Sequence, residues 1–221
     1  MKKFTFLSFF VFLSAGTLLA QEGFKLGFRF SPQIGSGTLL DDSSKKKLTA
    51  FEMKSKMGFT FGLMINYGFT ENIGFHTGVH VGTRKFGFNS NFLGSTFENR
   101  QKLTSVIVPV QLKLRSGELG STGIHIIGNF GVNGEINFSN KRSYTDTLNY
   151  PNIIEDKNSK NVNLFSASFV PSLGIDWDFD WGTVTMAASY HLGLLNVLDK
   201  STYPGINSRM NTIALDLGYY F

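Results

Sequence analysis

Residues 212–221 (TIALDLGYYF) show the pattern that decides the fold. Apolar side chains take every second position and alternate with small or polar ones, which is the period of a β-strand with two different faces. The pattern recurs at residues 58–67 (GFTFGLMINY) and 73–82 (IGFHTGVHVG), where the second face carries glycine, threonine, asparagine, methionine and histidine. These stretches predict an all-β chain.

Five further segments alternate in the same way: 24–30, 104–114, 124–138, 165–177 and 184–194. Eight segments of about ten residues are typical of a transmembrane barrel. A soluble sandwich also alternates, but its second face meets water and carries many charges. Here the second face is largely Gly, Ser, Thr, Asn and His, which suits the narrow interior of eight strands, and the Phe-rich face suits lipid. We therefore predict an eight-stranded antiparallel up-and-down transmembrane β-barrel.

The composition agrees with this class of protein. The chain has 221 residues, which favours one domain, and 14% aromatic residues, which argues against disorder. It has no cysteine, so disulfides cannot contribute to its stability. After residue 21 there is no run of 18 apolar residues, so no membrane helix is expected there.

The N-terminus has the layout of an export signal. Two lysines, Lys2 and Lys3, precede an uncharged apolar stretch that ends in small residues, with Ala20 before Gln21. This layout predicts a signal peptide over residues 1–20 and a barrel over residues 21–221. A membrane anchor helix is the alternative, since the stretch approaches a spanning length. We expect the mature chain to lie in the outer membrane as a monomer.

The connections between the segments alternate in length. Short connections are predicted near 70–72, 116–121 and 178–181, and long polar loops near 34–56, 87–101, 139–161 and 197–208. In outer-membrane barrels the short turns are periplasmic and the long loops extracellular, so both termini should be periplasmic. An aromatic girdle is expected at the periplasmic boundary. Its predicted members are Phe24, Tyr67, Phe69, Trp177, Trp181, Tyr219 and Phe221.

The charges follow the same division. Most Lys and Arg residues lie in or beside the long loops, and examples are residues 45–47 (KKK) and 141–142 (KR). The short turns carry Glu71, Glu118, Asp178 and Asp180. A basic outer rim would attract lipid phosphates, so we expect outer-membrane lipids and lipopolysaccharide as partners. Solubility of exposed loops is the alternative explanation, and nucleic acid is not an expected partner.

Charged and histidine side chains also fall on the predicted inward face. The candidates for an interior polar network are Lys25, Arg29, His76, His80, Lys113, His125, Glu135, Asp176, His191 and Asp216, and Arg115 shares their phase. Unpaired charges in a narrow interior are costly, so opposite signs should pair or be hydrated. We predict a salt-bridged plug that closes the barrel. A thin water path for small ions is the alternative.

No catalytic, metal or cofactor site is predicted. His76 and His80 are four residues apart, or roughly 13 Å along a strand, so they cannot bind one ion together. Ser189, His191 and Asp176 have the side chains of a hydrolytic triad, but polar barrel interiors commonly hold such residues. Two prolines, Pro109 and Pro171, fall within predicted strands, where each removes a hydrogen-bond donor, so we expect a bulge or local irregularity at each.

Four stretches resemble the PorT-like family of small outer-membrane barrels of Bacteroidota: 106–114 (VIVPVQLKL), 123–138 (GIHIIGNFGVNGEINF), 189–197 (SYHLGLLNV) and 215–221 (LDLGYYF). The resemblance implies an eight-stranded barrel of OmpA/OmpX architecture. Most members have no assigned activity and the namesake assists type IX secretion, so an accessory role in secretion is one implied function.

The chain ending resembles the signal that the barrel-assembly machinery reads, with Leu217, Tyr219 and Phe221 as its apolar residues. A last strand with a free edge can pair with a strand of that machinery. The function predicted from the sequence is a non-enzymatic one: envelope structure, or surface recognition through the long basic loops. Accessory work in secretion and a narrow passive pore are the alternatives.

Overall fold

The computed structural model describes residues 23–41, 51–92, 95–146, 154–156, 162–197 and 206–221. These residues form ten antiparallel β-strands. The strands are β1 (Phe24–Asp41), β2 (Phe51–Gly68), β3 (Ile73–Phe92), β4 (Ser95–Arg115), β5 (Ile124–Asp146), β6 (Ile154–Asp156), β7 (Phe165–Phe169), β8 (Ser172–Phe179), β9 (Gly182–Gly193) and β10 (Ile206–Tyr220). No helix long and apolar enough to cross a membrane occurs in this part of the chain. The predicted signal peptide lies outside it.

The strands close into a ring with eight positions. Neighbours in the chain pair with each other, and β10 closes the ring by pairing with β1 from Gly27↔Tyr220 to Asp41↔Ile206. β7 and β8 occupy one position, since both pair with β5 on one side and with β9 on the other. The short β6 pairs with the outer part of β5. The fold is the eight-stranded antiparallel up-and-down barrel that the alternation predicts.

An apolar belt surrounds the barrel. Along β2 the outward residues run from Met57, which is 66% exposed, to Tyr67, which is 43% exposed, with Phe59, Phe61 and Leu63 between them. These eleven residues span about 25 Å at ~3.3 Å per residue and a tilt near 40°. That height matches the hydrocarbon layer of a membrane, and so large an exposed apolar surface is not tolerated in water. The barrel therefore spans a membrane.

Aromatic side chains cluster at the end of the barrel that carries residues 23 and 221, here called the terminal end. A continuous series of ring contacts connects Trp177, Phe179, Trp181, Tyr219 and Phe221, with centroid distances of 4.7, 5.0, 5.3 and 5.2 Å. The Tyr219 hydroxyl donates a hydrogen bond to the Trp181 carbonyl. Tyr67 and Phe69 form another contact at 5.5 Å. The rings form the interfacial girdle that the sequence predicts.

The two prolines interrupt pairing but produce no bulge. At Pro171 the strand divides into β7 and β8, yet the register continues unchanged from Val132↔Phe169 to Asn129↔Ser172. Pro109 pairs with Asn133 of β5, and on its β3 side the pairing lapses and resumes in the same register. The expected irregularity is therefore a local loss of pairs, and the expected bulge is wrong. The missing amide hydrogen costs bonds but adds no residue.

Within the described residues, the segments predicted as long loops are largely strand. β1 and β2 extend to Asp41 and from Phe51, and β3 and β4 pair as far as Phe92↔Ser95. β5 continues to Asp146 and pairs with β4 at Phe97↔Asp146. Cross-strand hydrogen bonds thus hold backbone that polar composition alone assigned to loops. Residues 42–50, including the three lysines at 45–47, lie outside the described part.

Candidate functional site in the barrel interior

Ion pairs fill the interior at the terminal end. The Lys113 Nζ atom of β4 lies 2.7 Å from Asp176 Oδ2 of β8, and Arg115 Nε lies 3.7 Å from the same oxygen. Arg115 also pairs with Asp178, whose Oδ1 is 3.9 Å from Lys25 Nζ of β1. Because these residues come from three strands, the cluster links opposite parts of the wall. We call these five residues the terminal cluster.

Two neighbours complete the terminal cluster. The Thr183 hydroxyl donates to Asp178 Oδ1 at 2.7 Å and accepts from Lys25 Nζ at 3.0 Å. His125 contacts the Ser116 carbonyl through Nδ1 at 3.0 Å, and its Nε2 lies 3.6 Å from Asp178. Asp178 was predicted in a short turn, but it lies on β8 in the inward phase. The turn itself begins after Phe179.

The middle of the barrel holds a second ion pair and a buried tyrosine. Arg29 of β1 contacts Asp216 of β10 at 2.5 Å and donates through Nε to the Ser31 hydroxyl at 3.0 Å. The Tyr220 hydroxyl lies 3.1 Å from His76 Nδ1. Lys113 Nζ lies 4.9 Å from the centroid of the Tyr220 ring, a cation–π contact. The middle level is thereby joined to the terminal cluster.

A third ion pair lies toward the opposite end. Arg84 of β3 pairs with Glu135 of β5, and the two side chains are 8% and 2% exposed. Glu135 also accepts hydrogen bonds from Ser166 at 2.8 Å and from Ser168 at 3.3 Å, both on β7. Glu135 is a predicted member of the interior network, whereas Arg84 is not. Arg84 continues the phase of His76 and His80, so extending that strand by one further repeat would have found it.

The structure does not assemble the triad that Ser189, His191 and Asp176 could form. Ser189 Oγ lies 3.2 Å from His191 Nε2, but the other ring nitrogen lies 3.4 Å from the Asn133 amide nitrogen. Asp176 pairs with Lys113 and sits opposite Thr185, four residues along β9 from Ser189. Ser189 is also buried. Among the described residues the hydrogen-bond neighbours of the His191 ring are Asn133 and Ser189, and no carboxylate takes the orienting position of a triad.

The fourth histidine of the predicted network is His80. His80 is buried on β3 and pairs in register with Gly62 on one side and Ile107 on the other. Within the described ranges, no group of three His, Asp or Glu side chains is placed to hold a metal ion.

Apolar side chains also fill the interior. Met64, Ile127 and Met210 are almost fully buried on inward positions of three strands. A cavity of about 20 Å³ in the middle of the barrel is bounded by Met64, Tyr220 and Arg29, among others. A larger cavity of about 160 Å³ lies at the terminal end. The interior is therefore open at the terminal end and packed in the middle.

The larger cavity is lined by polar groups that have hydrogen-bonding capacity left. Asn66 Oδ1, Arg115 Nε and Asp176 Oδ1 are buried and lack a hydrogen-bond partner in the protein, and all three residues line the cavity. A volume of this size accommodates several water molecules, each of which can bridge such groups. Water in the cavity can therefore complete the hydrogen bonds of the terminal cluster on that side.

Comparison with known proteins identifies the family. A family model described as an outer membrane protein beta-barrel domain matches residues 19–199. Among solved structures, OprG from Pseudomonas aeruginosa is 12% identical with a TM-score of 0.47, and the alignment covers 90% of this chain and 96% of that chain. AlkL in DMPC bilayers is 17% identical with a TM-score of 0.46 and 91% coverage of both chains.

The outer membrane protease OmpT from Escherichia coli is 10% identical with a TM-score of 0.39, covering 91% of this chain and 97% of that chain. No curated protein is significantly similar to the chain. The family model spans most of the sequence, and the belt, girdle and closed ring agree with it. The chain belongs to the outer membrane protein beta-barrel domain family, and its place is the outer membrane.

Proposed function

We propose that this protein is a closed, non-enzymatic barrel that serves the outer membrane as a structural element or as a recognition element through its extracellular part. One observation carries the proposal: the interior charges pair with each other across the barrel. The cations are Lys25, Arg29, Arg84, Lys113 and Arg115, and the anions are Glu135, Asp176, Asp178 and Asp216. Among the described residues these ion pairs join five cations to four anions, so their charges nearly balance.

The packed middle level supports closure. An ion path needs continuous water, but the cavity beside Tyr220 and Met64 has a volume of only about 20 Å³. That volume holds about one or two water molecules, which is less than a hydrated ion needs. The terminal cavity would then be a hydrated vestibule that ends at the middle of the barrel.

The geometry of Ser189 and His191 supports a non-enzymatic role. A hydrolytic site needs a nucleophile, a base, an orienting group and room for a reacting atom. Here the base lies beside an amide nitrogen, and Ser189 is buried among inward side chains.

Planar-bilayer conductance of the refolded protein tests closure. Heat-modifiable gel migration first establishes that each sample is a folded barrel. We expect the natural protein to be silent and the variant Met64→Ala/Tyr220→Ala to conduct, because these substitutions remove the two large side chains that fill the middle. A stable, reproducible conductance from the natural protein would overturn the proposal and favour the narrow pore.

The wider biological setting is part of the proposal. It comprises export by a signal peptide over residues 1–20, periplasmic termini, and insertion by the barrel-assembly machinery through Leu217, Tyr219 and Phe221. The contact between the chain end and β1 supports insertion through these residues, since the Phe221 amide donates to the Leu26 carbonyl at 2.9 Å and the Phe221 ring lies 5.4 Å from that of Phe28. The expected partners outside are lipids and lipopolysaccharide. The PorT-like assignment and a role in secretion rest on resemblance alone.

A further inference from the structure

Three neighbouring strands carry a row of lysines at matching positions. Lys85 of β3 lies directly opposite Lys102 of β4, and Lys102 lies directly opposite Lys141 of β5. The side chains of Lys85 and Lys102 are exposed on the outward face. We call this set the lysine row. Like charges in directly opposed positions of a sheet repel each other, so the row is unfavourable unless an anion joins it.

The lysine row stands immediately beyond the apolar belt, at the end away from the termini. Four residues nearer the terminal end, Val81 pairs with Val106, which pairs with Ile136. At ~3.3 Å per residue the row is about 13 Å farther along the strands, or about 10 Å along the barrel axis after tilt. That depth is where the headgroups of an outer leaflet begin.

A change of register brings the third lysine into the row. Between Thr104 and Ser105 the pairing with β5 shifts by one residue, and Phe138 is the extra residue. Without the shift Lys102 would face Asn140. The bulge places Lys141 opposite Lys102, so three lysines occupy one row of paired positions.

The positions around the row contain further cationic and hydroxyl residues, and one acid, Glu155 of β6, lies opposite Ser143 in the adjoining row. The adjoining rows are Thr83↔Thr104↔Ser139 on the belt side and Gly87↔Arg100↔Ser143 on the other side. These nine positions thus comprise four cationic residues, four hydroxyl residues and one glycine. Lys and Arg together with hydroxyl residues are the usual protein partners of phosphate oxygens. The set has the charge and the donors for a phosphate-bearing ligand.

We infer that the lysine row binds the phosphate groups of lipopolysaccharide in the outer leaflet. The inference rests on the proposed orientation, in which the end away from the termini is extracellular. Its occupant follows from charge and depth: the site faces the lipid side of the wall, at headgroup level, with four cations among its nine positions. A phosphorylated membrane glycolipid meets all these conditions, whereas a soluble anion would meet only the charge.

The test measures binding of lipid A to the full-length folded barrel in detergent micelles at low salt. Each lysine near an anionic lipid surface contributes roughly a fivefold change in affinity. We therefore expect Lys102→Gln to weaken binding about fivefold and Lys85→Gln/Lys102→Gln about 25-fold. Arg209→Gln is the matched control, because Arg209 is an exposed cation on β10, away from the row. It should change binding less than about twofold, as a cation outside the site.

Two further ligands test whether the row recognises the phosphate groups of a lipid: lipid A without its phosphates, and inorganic phosphate. Lipid A without its phosphates should bind the natural protein no better than the double variant binds the phosphorylated form. Equal binding of both lipids, or an unchanged affinity in the double variant, would overturn the inference. Inorganic phosphate that binds the row as tightly as lipid A would also overturn it, since the site would then serve a free anion.

The outcome of the lipid A binding experiment does not depend on whether the barrel interior is closed. Conductance reports on the packed middle level, and lipid A binding reports on the outward face, so either proposal can fail alone. Accessibility of a tag beside the termini in intact cells tests the proposed orientation of the barrel, on which the inference about the lysine row rests. If the tag is exposed at the cell surface, the orientation is wrong and the lysine row would face the inner leaflet.

Discussion

The Arg84–Glu135 pair and the terminal cluster both bring opposite charges together inside one barrel, but their surroundings differ. The Arg84 and Glu135 side chains are 8% and 2% exposed, and two serine hydroxyls donate hydrogen bonds to the Glu135 carboxylate. Asp178 of the terminal cluster is 34% exposed. The Arg84–Glu135 pair is therefore desolvated, whereas Asp178 remains partly exposed to water.

The difference determines what each group contributes. A desolvated pair gains little net stability over apolar residues, but the loss of one partner leaves a charge buried alone. A hydrated pair contributes little and tolerates loss, because water replaces the missing partner. We therefore expect the loss of Arg84 or of Glu135 alone to destabilise the barrel strongly, and the partly exposed side of the terminal cluster to tolerate substitution.

The largest effect is expected from Arg84→Met. The substitution leaves Glu135 buried without its cation, so it should lower the free energy of unfolding by about 3–5 kcal/mol. Urea unfolding of the refolded protein in detergent, followed by tryptophan fluorescence, measures this loss. The double variant Arg84→Met/Glu135→Leu removes both charges and should recover most of the stability. A single variant as stable as the natural protein would show that water reaches Glu135.

The sequence predicts the barrel well because its signal repeats eight times. Period-two alternation, the Phe-rich outward face and the aromatic residues near residues 177 and 219 each depend on local spacing alone. The limits of the strands are less predictable. Polar composition predicts a loop over residues 87–101, but the pairing of β3 with β4 and of β4 with β5 holds residues 87–92 and 95–101 as strand, and such pairing is not visible in local composition.

The interior is only partly predictable for a similar reason. Phase places Glu135 inside, but only the closed ring brings Arg84 from β3, two positions away, to its carboxylate. Met64 and Tyr220 share the inward phase with polar residues, and their role in filling the middle depends on the packing of all the strands. The sequence predicts Asp178 in a turn, because a short connection does not reveal which residue ends the strand.

An intermediate effect is expected from Lys113→Met. Asp176 loses its 2.7 Å partner, but Arg115 remains at 3.7 Å and the cavity allows hydration. The free energy of unfolding should therefore fall by about 1–3 kcal/mol, less than for Arg84→Met. The same urea series measures it. A loss as large as that of Arg84→Met would show that the cavity does not hydrate Asp176 and would remove the contrast between the two sites.

The smallest effect is expected from Asp178→Asn. The group is about one-third exposed, and its partners Arg115 and Lys25 remain next to Asp176 or water, so the change should stay below about 1 kcal/mol. Salt distinguishes this site from the Arg84–Glu135 pair. Dissolved ions screen exposed charges, with a screening length of about 10 Å at 0.1 M, but they screen charges in a dry interior much less. In 0.5 M NaCl the difference between Asp178→Asn and the natural protein should therefore shrink toward zero, while the loss caused by Arg84→Met persists. If the Asp178→Asn difference does not respond to salt, then Asp178 is as desolvated as Glu135, and the terminal cavity does not admit the solution.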